Sequence, residues 1–193
     1  MTNRPYLQTD TLDDALSSLE LALSFYDLAQ QDDRYWKWFV VALHSGTQGI
    51  FAAALGSPSS LIVQKPGITK QMAVAFADRA VPPPPHMDNF MRLYIKMQNA
   101  ANLCSSEALP LPASPEHKNG LEKLDELRDD FLHFNSKSWL ISKEVLVSSA
   151  RTAAQVVRFV LLEGNAVRMY ESEERLRATQ VADKLAQRLS VDA

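Results

Sequence analysis

The stretch Tyr35-Trp-Lys-Trp-Phe-Val-Val-Ala-Leu-His-Ser-Gly-Thr-Gln-Gly-Ile-Phe-Ala-Ala-Ala-Leu55 decides the fold. It is apolar nearly all round, and a helix with no polar face belongs at the centre of a bundle. Gly46 and Gly49 would let another backbone approach it closely, at some cost in helix propensity. Just upstream, Asp32-Asp33 mark a break and a new helix start. Before that break, Leu12, Leu16, Leu19, Leu23 and Tyr26 repeat at steps of four and three, which is one apolar stripe. Thr9-Asp10 offers that helix an N-cap, and Asp13-Asp14 place acid in its first turn, where the dipole favours it.

Downstream the texture changes between 57 and 86, where Gly56-Ser57-Pro58 and Lys65-Pro66-Gly67 are turn signals. Leu61-Ile62-Val63 is too short to assign, and Thr69 to Ala80 predicts a short helix with Met72, Phe76 and Ala80 on one face. Pro82 to Pro85 then imposes polyproline geometry. This region reads as an elaborated loop inside one domain. Helical patterning resumes from Met87 to about Leu103, and again from Pro115 with Leu121, Leu124 and Leu127 facing inward. It continues from Ser142 to Leu162, with Gly164-Asn165 to bend or cap, and in an amphipathic C-terminal segment, 171–193. The expected architecture is all-α, a single domain over 1–193. It is an up-down antiparallel helical bundle with a long Pro-containing loop insertion.

The chain has 193 residues, 46% hydrophobic and 22% charged, with a formal net charge of -3. That balance supplies no global basic field for a long polyanion, so nucleic-acid contact would come from a local patch. One cysteine, Cys104, forms no intrachain disulfide and no thiolate metal cage. No His-Glu-x-x-His or phosphate-cradling glycine loop occurs, so neither metal nor cofactor is expected. The apolar runs are interrupted by His44, Gln48, Gln155 and Arg158, and no secretory leader is evident in Met1 to Tyr6. The expectation is a cytoplasmic protein without a membrane segment.

Chemistry concentrates in Leu127-Arg-Asp-Asp-Phe-Leu-His-Phe-Asn-Ser-Lys-Ser-Trp139. Arg128 and His133 lie five positions apart, which on an ideal helix leaves their side chains roughly 140° apart. They share a face only if the helix ends near His133, or if each faces a second copy across a two-fold axis. The bland alternative for Arg128 is an ion pair with Asp125 at i,i+3. For His133 it is a favourable charge at the helix C-terminus. His44, on the central helix with Gln48 one turn on, reads as a hydrogen-bonded core histidine. His86 and His117 read as solvated residues of connections. Trp36-Lys37-Trp38 reads as core aromatics rather than a base-stacking platform.

Arg128, Asp129 and His133, near the end of a helix in an all-α chain, resemble the signature of the HEPN superfamily. That signature is an Arg followed by a polar residue, with a His four to six residues beyond the Arg. The resemblance spans about residues 10 to 165 and implies a metal-independent ribonuclease acting as a homodimer. Its setting would be a toxin–antitoxin or other defence system, with RNA as substrate and an antitoxin or regulator as protein partner. It further implies His133 as general base or acid on the ribose 2′-hydroxyl and the leaving oxygen. A histidine suits this because its unperturbed pKa of about 6.5 allows both proton states near neutrality. Arg128 would hold the scissile phosphate, and Asp129 would orient the Arg or the His. A different class of function is a non-catalytic helical module that dimerises or binds a protein. That reading predicts Arg128 paired locally with Asp125, and an open apolar patch elsewhere.

Overall fold

The computed structural model describes residues 9–56, 61–133 and 140–190. Among them the chain is all-α, with seven α-helices and no strand beyond one isolated bridge. Helix α1, Thr11–Ala29, starts where the Asp10 carboxylate accepts the Asp13 N–H at 2.9 Å. Helix α2, Tyr35–Leu55, returns antiparallel along it. Tyr26 meets Trp36 edge-on near the turn, Leu19 lies over Gly46, and Ala15 lies over Gly49 further along. The two glycines set the spacing: a Cβ at Gly49 would stand 2.6 Å from the Ala15 Cβ, and one at Gly46 2.6 Å from Leu19. Buried residues run all round α2, and it packs on α1 and on three later helices, as its composition required.

Helix α3 is Pro66–Ala77, displaced from the expected 69–80. Pro66 fits the first helical turn, where its missing N–H costs nothing. The chain leaves the helix through Arg79 at φ 53. Leu61 to Val63 form a hydrogen-bonded turn, and Gln64 bridges to Met87. The Met87–Leu103 pattern resolves into α4, Phe90–Met97, capped by Asn89, and a single 3-10 turn, Ala100–Asn102, capped by Asn99. The loop is fastened at buried Asp88, whose carboxylate is 2.8 Å from Lys96 Nζ and 3.6 Å from Arg92 Nη1. Lys96 Nζ also donates to the carbonyls of Ile62 at 2.8 Å and Gln64 at 2.9 Å. Residues 57–60, at the start of this region, lie outside the described residues.

Helix α5 is Pro115–Leu132, α6 is Lys143–Arg158 followed by a π-helical turn, Phe159–Glu163, and α7 is Ser172–Ser190. Asn165, at φ 46, rather than Gly164, carries the left-handed residue after that turn. Helix α7 packs on α6 and α1 and closes the bundle. It runs parallel to α1, since Arg177 reaches Ser17 and Glu20 while Arg188 reaches Asp27. Two helical segments, Tyr35–Leu55 and Lys143–Glu163, have the length and mean hydropathy (1.3 and 1.4) of membrane-crossing helices, despite their interruptions. Most of each is buried inside the bundle, the pattern of core helices.

Candidate functional site

Helix α5 opens at Ser114, whose hydroxyl accepts the His117 N–H, with Pro115 in the first turn. Leu121, Leu124 and Leu127 bury one face, so Asp125, Arg128 and Asp129 fall along its edge. The helix ends at Leu132. His133 takes extended backbone angles (φ -89, ψ 102) as the C-cap, with its N–H donating to the Asp129 carbonyl at 2.9 Å. The roughly 140° of an ideal helix therefore no longer governs where the His133 side chain points. His133 is exposed and Arg128 half-buried.

Arg128 is held from several sides. Its Nη1 lies 2.7 Å from Asp129 Oδ1, and its Nη2 lies 3.3 Å from Asp125 Oδ1. Its Nε is buried without a partner. The i,i+3 pair with Asp125 is thus present, and Asp129 grips the opposite edge of the guanidinium.

The side chain that completes the cluster is His44. It is 1% exposed, and its ring lies on Phe90 with centroids 4.2 Å apart. Its Nε2 is 2.8 Å from Asp125 Oδ1 and 3.3 Å from Arg128 Nη2. A bare Nε2 lone pair facing a carboxylate at that distance would be repulsive, whereas an Nε2–H donates to it. The arrangement therefore calls for the neutral Nε2–H tautomer, with Asp125 Oδ1 accepting from both His44 and Arg128. Burial pushes the His44 pKa below its ordinary value; the Arg128 charge adds to this, and the Asp125 hydrogen bond and the Asp129 charge oppose it. His44 is a hydrogen-bonded core histidine, as its place on the apolar helix suggested. What sequence reasoning missed was the partner. A buried polar group needs one, and the acid-rich edge of α5 was the place to look.

The other polar candidates lie apart from this cluster. Lys143 pairs with Asp33 at 2.7 Å. His86 is exposed, whereas His117 lies in the first turn of α5 rather than in a connection, with Nδ1 buried and unpartnered. Trp36 is core, but Trp38 is 47% exposed with Lys37 Nζ 5.1 Å from its ring centroid, so the pair of tryptophans is split. Among the described residues no three His, Cys, Asp or Glu side chains come together as a metal site. A groove of about 500 Å³ beside the first turns of α1 and α7 is lined by Asp10, Asp13, Glu171, Glu173, Glu174 and Arg177. Its carboxylates would repel a phosphate. Phe134, Asn135, Ser136, Lys137, Ser138 and Trp139 of the motif stretch lie outside the described residues.

Compared with known proteins, the chain matches no family model, no curated protein and no solved structure.

Proposed function

We propose that the end of α5 is the reaction centre of a metal-independent ribonuclease of the HEPN type, working in the cytoplasm as a homodimer. The observation that carries this reading is the end of α5 at Leu132, which releases His133 from the helical course beyond an Arg128 already oriented by Asp129. In the proposed reaction, His133 takes the proton of a ribose 2′-hydroxyl, and O2′ attacks the adjacent phosphorus. The bond from phosphorus to the 5′-oxygen breaks, and His133 of the partner subunit protonates the departing oxygen. Arg128 carries the charge developing on the phosphoryl oxygens. The products are a 2′,3′-cyclic phosphate and a 5′-hydroxyl.

His133→Ala and Arg128→Ala are each expected to lower kcat/KM for RNA cleavage by about 100-fold or more. Both proteins should keep the oligomeric state and melting temperature of the parent. Cleavage undiminished in either variant would contradict the assignment.

A second reading, a non-catalytic module for a protein partner, is favoured by the Arg128–Asp125 pair and by apolar side chains left open on and after α3. Val74 is 61% exposed and Val81 is 92% exposed. It predicts that both variants bind and assemble like the parent and that none of the three proteins cleaves RNA.

A further inference from the structure

His44 has no assigned role in the reaction above, yet it is a buried core side chain whose polar end meets Asp125 and Arg128. It belongs to α2, and everything it touches at its polar end belongs to α5. Its ring is fixed by burial and by the Phe90 face, so the Nε2–H points in one direction. The Nε2–H donates to Asp125 Oδ1, with Nε2 2.8 Å from that oxygen, and the same oxygen accepts from Arg128 Nη2 at 3.3 Å. Asp125 is partly exposed, and on its own an exposed carboxylate samples several rotamers. Arg128 is also on the surface side of α5, and a flexible arginine loses entropy each time it grips a phosphate. Asp129 restrains one edge of the guanidinium, but Asp129 is itself half-exposed. His44 ties the polar edge of α5 to the rigid centre of the bundle by a hydrogen bond from a buried side chain.

We propose that His44 is a positioning residue: from inside the bundle it fixes the Asp125 carboxylate, and through it the guanidinium of Arg128. As a contribution to cleavage, the assignment rests on the ribonuclease reading; as a statement about Arg128 geometry, it does not. Two substitutions separate the hydrogen bond from packing. Glutamine places an amide N–H₂ about where the imidazole Nε2–H stands, whereas leucine fills a similar volume against Phe90 without a donor.

Side-chain nitrogen NMR of the full chain reads the effect directly. In the parent and in His44→Gln, Arg128 is expected to show resolved Nη protons from slow rotation about Cζ–Nε. In His44→Leu they are expected to average. In the parent, the His44 ring nitrogens are expected to report the Nε2–H tautomer with a slowly exchanging proton, and in Asp125→Ala, where His44 itself is retained, its ring proton should lose that protection. This last comparison decides the His44–Asp125 link even if His44→Leu does not fold. RNA cleavage run alongside should fall about 10-fold in kcat/KM for His44→Leu and recover in His44→Gln. Resolved Arg128 signals in a folded His44→Leu, or a His44 ring unchanged by Asp125→Ala, would overturn the proposal. If the NMR behaves as expected and the parent cleaves no RNA, the positioning geometry stands and the ribonuclease reading fails.

Discussion

At the scale of single residues, the most informative group is His44, a neutral imidazole in an apolar shell. Its folded pKa lies below the unfolded value of about 6.5, with burial as the main cause. The unfolded chain therefore binds this proton more readily than the folded one. Its contribution to stability is complete above about pH 6.5 and is lost as the pH falls toward the folded value. The charged groups facing it are Asp125, Arg128 and Asp129 of α5. Urea denaturation is expected to show stability declining between about pH 7 and 5, and His44→Gln should flatten that slope. Parallel slopes for the two proteins would contradict the assignment. A second set of carboxylates acts in a lower window. Asp13 and Glu20 are both held below their ordinary values by hydrogen bonds from Arg177, opposed by desolvation. Their contribution is present above about pH 4.5 and disappears in more acid solution.

At the scale of elements, α1 and α2 are held together by missing side chains. Gly49→Ala would press a methyl group onto Ala15, whose Cα would lie 3.2 Å away and has no rotamer to yield. Overpacking costs about 1–3 kcal/mol and the better helix propensity of alanine returns at most about 1 kcal/mol, so thermal melts should show a net loss. Gly67, in the first turn of α3, has nothing within 4 Å of an added Cβ, and Gly67→Ala should instead gain about 0.5 kcal/mol. Lys96 is the second sensitive point. Lys96→Met leaves the buried Asp88 carboxylate with the Asn89 N–H and the more distant Arg92 but without its close cation, and a loss of about 3 kcal/mol is expected by chemical denaturation.

How far these elements could be read in the sequence follows from what specifies each. The stripe Leu12 to Tyr26 and the all-round apolar surface of α2 are local signals, and both helices form where expected. The start of α5 at Pro115 was legible from its proline and leucines. In the 61–89 region the short helix α3 was anticipated with shifted ends, but the arrangement of the segments around it was not, because that order comes from long-range contacts. Lys96 on α4 gathers the carbonyls of Ile62 and Gln64, and periodicity carries no trace of that pairing. The π-helical turn after Arg158 was invisible for a similar reason. It is stabilised where Leu109 donates to the Gly164 carbonyl, across more than fifty residues. At the candidate site, the Arg128–Asp125 pair follows from the i,i+3 spacing within one helix, whereas the contact with adjacent Asp129 does not, since neighbours i,i+1 do not share a helix face. His44 joins them from 81 residues away, and that approach depends on how α2 and α5 pack.

At the scale of the whole molecule, the bundle brings one polar thread from its centre to its surface. It runs from His44 through Asp125 to Arg128, beside the point where α5 ends and His133 emerges. The surroundings of that thread are acidic, so RNA would have to displace carboxylates from Arg128 or bring a second copy's groups to the site. In the proposed reaction the second subunit also supplies the acid, since His133 of the partner subunit protonates the departing oxygen. The most direct test is the chemistry of the product ends when the purified full-length chain is given a mixed RNA pool in EDTA. The account predicts cleavage that persists without metal and leaves 2′,3′-cyclic phosphate and 5′-hydroxyl ends. Intact RNA, or fragments ending in 3′-hydroxyls, would contradict it.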